Sequence, residues 1–209
     1  MALNLLTIIA NVRSELNDTA TSHLSRQETP LGLIDGGNKV YMLAYYPLVD
    51  SASATVTVDG VVLSSGYSFD LAKGRLTLTV APITSVLVDY YFYAFTDTDI
   101  TVWINNAVQT CSYTALTGVP DPMGAAVERL AISMGCQAWA RKWAEGFSWQ
   151  VGPESVDKKA ISANYLSLAK QKWDEGIAVR NDNWTRYGQR EAPAGQFLQF
   201  NIPRYDVLR

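Results

Sequence analysis

The chain has 209 residues, of which 48% are hydrophobic and 18% are charged, so it can bury a core of its own without metal ions or disulfide bonds. Its formal charge of −3 and its lack of a lysine and arginine run argue against a protein whose main task is to bind nucleic acid. No apolar run approaches the roughly 18 residues of a membrane span, and the opening MALNLLTIIANVR lacks the basic start of a secretion signal. We therefore expect a soluble protein that is synthesised in the cytosol and carries no classical export signal.

The first predicted element is an amphipathic helix. Its apolar residues recur at helical spacing and would form one stripe: Leu5, Ile8, Ile9, Val12 and Leu16. The polar stretch 17–38, with one proline and three glycines, is predicted to be a loop that leads into a different domain.

Short strands with tight turns are predicted between residues 38 and 95. Apolar and polar residues alternate there, and Asp59-Gly60 is a strong signal for a type I′ hairpin turn. The predicted strands are residues 39–45, 54–58, 61–63, 67–71, 75–80 and 86–95. Such a series of short strands predicts a small antiparallel sandwich or barrel.

Three helices are predicted after these strands. Thr96 and the aspartates that follow it predict the capped start of the second helix, whose apolar face includes Ile100, Trp103, Ile104, Ala107 and Val108. Asp121-Pro122 is typical of the start of a third helix, whose stripe runs from Val127 towards Trp143. Gly152-Pro153 ends that helix, and Ser155 is predicted to cap a fourth that continues to Arg180.

The predicted fold class is α+β: an α-helical bundle core with an inserted small antiparallel β-sandwich or barrel module and an extended C-terminal arm. The predicted core comprises residues 1–37 and 96–180, the β module comprises 38–95, and the arm comprises 181–209, which follow neither a strand nor a helix period. Cys111 and Cys136 belong to no CxxC pair and are expected to be small buried hydrophobic residues.

No recognisable catalytic or cofactor motif is present in the sequence. The motifs GxxxxGK[ST], GxGxxG and HExxH are absent, and the only histidine, His23, is expected in a solvated loop. The segment GFSWQ at 146–150 resembles half of a nucleophile elbow but lacks its final glycine and follows a predicted helix. Asp35, Asp97 and Asp99 fit turns and helix capping better than a calcium site, which needs about six oxygens. We predict that the protein has no catalytic residue, metal or cofactor.

Tryptophans near two glutamates raise the alternative of glycoside hydrolysis, because that chemistry uses paired carboxylates and sugars stack on aromatic rings. Glu145 and Glu154 lie close in sequence to Trp139, Trp143 and Trp149. The i, i+4 spacing of Trp139 and Trp143 is explained more simply by a buried or inter-subunit helical face. We therefore predict that these tryptophans are structural.

The C-terminal stretch GQFLQFNIPRYDVLR combines aromatic residues with arginines, which are enriched at interface hot spots. It has no pattern that would let it order itself alone, so a frayed terminus is the alternative. We predict that it docks on a neighbouring protein.

Several segments together resemble a known family. A short helix ending in VRSELND precedes a β module of the form VTVDG, GYSFD, GRLTLTVAP and VLVDYYFYAF, and the helix DTDITVWINNAV, two longer helices and a tail follow. This order resembles a head-to-tail connector, or adaptor, protein of tailed bacteriophages.

The resemblance implies a structural virion protein of the neck, made in the cytoplasm of the bacterial host, that is not an enzyme. Such adaptors assemble as a ring, commonly a dodecamer, between the portal protein and the next neck or tail protein, and genomic DNA passes through their channel without specific binding. The arm would dock on the portal through Trp184, Arg186, Tyr187, Arg190, Phe197, Phe200, Arg204 and Tyr205. The helical faces between subunits would include Trp103, Trp139, Trp143 and Trp173.

Three alternatives remain open at this level. The β module could bind host carbohydrate, with Tyr90, Tyr91, Tyr93 and Phe95 as candidates, although alternation would bury about half of them. A tail enzyme that cuts cell wall is poorly supported by a single histidine and few metal ligands. A tail terminator or head-closure protein is a further possibility, although those proteins tend to be dominated by β-structure.

Overall fold

The computed structural model of the protein describes residues 3–144, 149–151, 154–156 and 158–187. The helices are α1 (Leu5–Glu15), α2 (Asp97–Thr110), α3 (Asp121–Ala144) and α4 (Lys158–Tyr187), with a short 3₁₀ turn at Leu116–Gly118. The strands are β1 (Leu24–Glu28), β2 (Val40–Met42), β3 (Thr55–Val58), β4 (Val61–Leu63), β5 (Tyr67–Asp70), β6 (Arg75–Leu78), β7 (Val86–Tyr91), β8 (Trp149–Val151) and β9 (Glu154–Val156). The fold is therefore α+β, as predicted.

The β module contains two small antiparallel sheets, with strand orders β1-β7-β3-β4 and β2-β6-β5. Their inward residues form one buried cluster, in which Tyr41 and Leu76 of the second sheet join Val56, Val88 and Tyr90 of the first. Within the described residues the two sheets are separate and do not close, so the barrel alternative is wrong.

The hairpin turn between β3 and β4 is confirmed. Asp59 and Gly60 have φ angles of 50° and 80°, and a type I′ turn requires positive φ at both central residues. The turn fixes the register in which Val58 lies opposite Val61 and Val56 opposite Leu63.

The first strand was not predicted, because residues 17–38 were expected to form a loop. β1 pairs with β7, with Leu24 opposite Tyr91 and a register shift between Ser25 and Glu28. Gln27 lies in that irregular stretch with a φ of 48°, which breaks the alternation that would signal a strand. The N-terminal limit of the β module therefore moves from residue 38 to Leu24, within the segment predicted as core.

The helical core is organised around α3, which packs against all three other helices. Side chains cap the first two helices: the Asn4 side chain accepts the N–H of Leu6, and Thr96 and Asp99 form a capping box at the predicted start of α2. Buried residues of α3 lie on several faces instead of along the single predicted stripe, because neighbours surround it. None of the described helices is long and apolar enough to cross a membrane.

The antiparallel helices α3 and α4 approach closely through small residues. A Cβ added to Gly176 would lie 2.9 Å from Leu130 Cγ and 3.3 Å from the Leu130 backbone nitrogen. Two buried hydroxyls link the same helices: Ser133 donates to the Ala169 carbonyl at 2.7 Å, and Ser162 donates to the Ala140 carbonyl at 2.9 Å.

Two predictions about the C-terminal half are wrong. The segment between α3 and α4 contains the β8–β9 hairpin, so Ser155 belongs to a strand and does not cap α4. Helix α4 continues to Tyr187, so residues 181–187 are helical and do not belong to an extended arm.

Candidate assembly surfaces

The four tryptophans predicted at inter-subunit faces are half-buried within their own chain. Trp103 and Trp139 pack edge-on against Phe95, with ring centroids 4.9 and 5.1 Å away, and Trp143 stacks on Trp139 at 6.4 Å. Trp173 packs against the buried cluster of the helical core. Their contacts within the chain explain their spacing, and their role between subunits stays a prediction.

The residues predicted to form the docking arm divide into two groups. Trp184 lies on α4 and packs against the helical core. Arg186 and Tyr187 belong to the last turn of α4. The remaining predicted arm residues lie outside the described residues: Arg190, Phe197, Phe200, Arg204 and Tyr205.

A buried carboxylate joins the β module to the helical core. Asp18 accepts the N–H groups of Ala94 and Phe95, at 2.6 and 3.3 Å, and the Arg13 guanidinium at 2.7 Å. Arg13 also donates to the Phe95 carbonyl at 3.0 Å and to Asp97 at 2.7 Å. Desolvation by burial raises the pKa of Asp18, and these hydrogen bonds and the Arg13 charge oppose that rise. The two chain segments that enter and leave the β module therefore meet at one side chain.

Lys142 of α3 and the ring of His23 also contact this junction. The Lys142 ammonium donates to the Ala94 carbonyl and lies 4.3 Å from the centre of the Phe95 ring. Burial lowers the pKa of Lys142. His23 stacks on Phe92 at 5.4 Å and lies 3.4 Å from an Asp18 oxygen. His23 is thus a half-buried junction residue and not the solvated loop residue that was predicted.

The last turns of α4, around Arg180 and Asn183, are here named the root of the C-terminal segment. This root lies at the opposite end of the helical core from the junction. Near the end of α4, Arg180 donates to the Thr110 carbonyl at the C-terminus of α2, and Asn183 donates to the Pro122 carbonyl at the start of α3. Lys142, which contacts the junction, is near the other end of α3. The 20 residues of α3 between Pro122 and Lys142 correspond to a separation of about 30 Å.

The end of the β module farthest from the core carries an exposed group of aliphatic side chains, which we name the apolar tip. Its members are Leu33, Val61, Val80 and Ile83, with exposed fractions of 74%, 63%, 74% and 75%. Sequence reasoning missed this surface. For Leu33 and Ile83, the available signal was the presence of large aliphatic residues in segments predicted as loop or turn, where polar residues are usual.

The side chains that bear on the metal and catalytic alternatives can be located among the described residues. No group of three or more histidine, cysteine or acidic side chains among them is placed to hold a metal ion. Burial raises the pKa of both cysteine thiols, Cys111 and Cys136, to about 11, as suits the predicted buried hydrophobic role. Glu145 and residues 146–148 of the segment that resembles half of a nucleophile elbow lie outside the described residues, and Glu154 lies on β9.

An open depression of about 420 Å³ lies beside β5. Four serines, two aromatic residues and one leucine line it: Ser51, Ser64, Ser65, Ser68, Tyr67, Phe69 and Leu71. Of the aromatic residues predicted for carbohydrate binding, Tyr90 and Phe95 are buried, and the Arg13 guanidinium lies 3.9 Å from the centre of the Tyr93 ring. Compared with known proteins, the chain matches neither a protein-family model nor a curated protein.

Proposed function

We propose that this protein is a structural virion protein that forms a ring between the portal and the neck or tail of a tailed bacteriophage. In this role it would extend the DNA channel, would act on no substrate and would need no cofactor. The observation that carries the proposal is that the two ends of the subunit differ. A connector must bind different partners at its two ends. The root of the C-terminal segment lies at one end of α3 and the β module is attached at the other.

Exposed aliphatic residues on the helical core support ring formation. Leu6 on α1, Val102 on α2 and Leu166 on α4 have exposed fractions of 73%, 49% and 53%. A closed ring needs two different complementary faces on each subunit, and apolar residues on three helices are suited to that geometry. In the same proposal, the two sheets of the β module pack as a sandwich, because their inward residues share one cluster.

The segment after Tyr187 would dock on the portal through its aromatic residues and arginines. Many copies acting together would offset the entropy cost of ordering each segment. The formal charge of −3 suits a channel through which DNA must pass, since strong phosphate contacts would retard it.

Electron microscopy of the purified protein, alone and mixed with portal-bearing particles, tests the proposal. We expect a ring stacked on the portal with wild-type protein. A truncation after Tyr187 should keep the folded core, because Trp184 and Asn183 contact that core, but should lose portal binding. A truncated protein that completes necks at the wild-type yield would refute the docking role of the C-terminal segment, and wild-type protein that ignores portals would refute the function.

The second candidate function is binding of host carbohydrate by the β module. The depression beside β5 favours it, because hydroxyls and aromatic rings are the groups that contact sugars. Glycan-array binding by the full chain that is lost in a Tyr67→Ala/Phe69→Ala variant would favour this candidate over the connector.

A further inference from the structure

The apolar tip is formed by neighbouring loops and the first residue of β4 at the far end of the β module. Val86 begins β7 and pairs with Val58 at the end of β3, whereas Tyr91 ends β7 close to the helical core. The 59–60 turn and the 79–85 loop therefore lie about 20 Å from the core end of this strand, given six residues in β7. The loop that contains Leu33 joins them, because the Gly36 N–H donates to the Pro82 carbonyl at 3.1 Å.

Hydrogen bonds hold these loops in one conformation. The Asp59 carboxylate accepts the backbone N–H groups of Ile83, Thr84 and Ser85, at distances between 2.6 and 3.2 Å. The Tyr41 hydroxyl, 2.9 Å from the Leu33 carbonyl, ties the second loop to β2. A binding surface that is already ordered loses less conformational entropy when a partner docks, so exposed aliphatic residues on it are well placed to contribute affinity.

The charge beside the tip is mainly negative. Asp35 and Asp59 are exposed, and backbone N–H groups lower the pKa of both carboxyls, which keeps both charged at neutral pH. Lys39, which immediately precedes β2, follows Asp35 closely in the chain and is the cation of this loop. Two carboxylates disfavour an anionic bacterial membrane and favour a protein surface that carries basic residues.

We propose that the apolar tip is a docking surface for a second protein, which receives it in an apolar groove flanked by lysine or arginine. The proposal rests on the proposed function and deepens it. The tip belongs to the end of the subunit opposite the root of the C-terminal segment, so its partner is the next neck component and not the portal. The exposed fractions of Leu33, Val80 and Ile83, all near 75%, mean that docking would remove almost their full side-chain area from water.

The test compares two double variants of the full chain. The tip variant is Leu33→Ser/Ile83→Ser, and the matched control is Val40→Ser/Met42→Ser, which changes two exposed aliphatic residues on β2 in the same module. Each variant is added to DNA-filled particles that lack this protein. Ring stacking on the portal is scored by electron microscopy, and completion of the neck is scored by the yield of infectious particles after tails are supplied.

We expect all three proteins to form rings on the portal. The tip variant should complete necks roughly tenfold less well or worse, while the control stays near wild type. Asp35→Asn keeps an acceptor for the N–H groups of Gly37 and Asn38 but removes a charge, so it should weaken completion and reduce its dependence on salt.

Three outcomes would overturn the inference. The first is a tip variant that completes necks at the wild-type yield. The second is wild-type binding to phosphatidylethanolamine–phosphatidylglycerol vesicles that the tip variant loses, which would assign the surface to a membrane. The third is a dimer in sedimentation that the tip variant loses, which would assign it to a second copy. Failure of wild-type rings to stack on portals is a separate result, which would refute the proposed function and this inference with it.

Discussion

Substitution of Asp18 by alanine should destabilise the protein strongly. The side chain of Asp18 has no exposed area, and that of Arg13 is 9% exposed, so the variant would leave the guanidinium without its buried carboxylate partner and two N–H groups without an acceptor. Breaking a buried ion pair from one side costs about 3–5 kcal/mol. In a chain of this length we expect a fall in Tm of roughly 10 °C.

Asp97→Ala provides the matched control, because Asp97 contacts the same guanidinium at 2.7 Å but its side chain is 71% exposed. Solvent screening limits that pair to less than about 1 kcal/mol. Urea unfolding followed by tryptophan fluorescence gives the free energy of unfolding of each variant. The double variant Arg13→Met/Asp18→Leu should cost less than Asp18→Ala, since neither charge is left alone. Equal losses for Asp18→Ala and Asp97→Ala would refute the assignment of the junction as a buried ion pair.

Three further predictions concern the β module, the helix packing and the cysteines. Asp59→Ala should speed amide hydrogen exchange at residues 83–85 near neutral pH. The pKa of Asp59 is lowered in the folded protein, so its stabilising effect is complete above the ordinary carboxyl pKa and is lost as the pH falls through the folded pKa. The difference in exchange rate between variant and wild type should therefore shrink in acid. Gly176→Ala should lower the free energy of unfolding by about 1–3 kcal/mol through overpacking, whereas Gly118→Ala, with open space around its Cβ, should leave chemical denaturation nearly unchanged. Alkylation of Cys111 and Cys136 at pH 8 should be about 100-fold slower in the native protein than in the urea-unfolded protein, because the raised pKa lowers the fraction of thiolate by that factor. Rapid labelling of the native protein would contradict their buried placement.

Local chemistry explains which elements could be predicted from the sequence. The stripe of α1, the capped start of α2 and the Asp59-Gly60 turn all depend on residues close together in the chain, and the structure confirms them, except that Leu5 of the stripe is 36% exposed. β1 depends on a partner more than sixty residues away and contains an irregularity at Gln27, so its own residues do not alternate. Pairing with a distant strand overrides such a weak local pattern.

The missed part of α4 has a similar explanation. Residues 181–209 follow no helical period, which predicted an end at Arg180. Asn181, Asp182 and Asn183 also have low helix propensity. Trp184 packs on the core and Asn183 bonds to Pro122, and these tertiary contacts favour continuation of the helix. The apolar tip could not be predicted either, because sequence alone does not bring the loops around Leu33 and Ile83 to the same end of a sheet.

The meeting of both module connections at Asp18 has a consequence for how such a protein changes over evolutionary time. Residues 18 and 94 are hydrogen-bonded neighbours, so a short peptide could bridge the gap that the whole β module now spans. Genetic exchange at these two points could delete the module or replace it with an unrelated one while α1 and α2 kept their places. Related proteins could then keep the same helical core and differ in the inserted module, because the packing of the helices would not have to change.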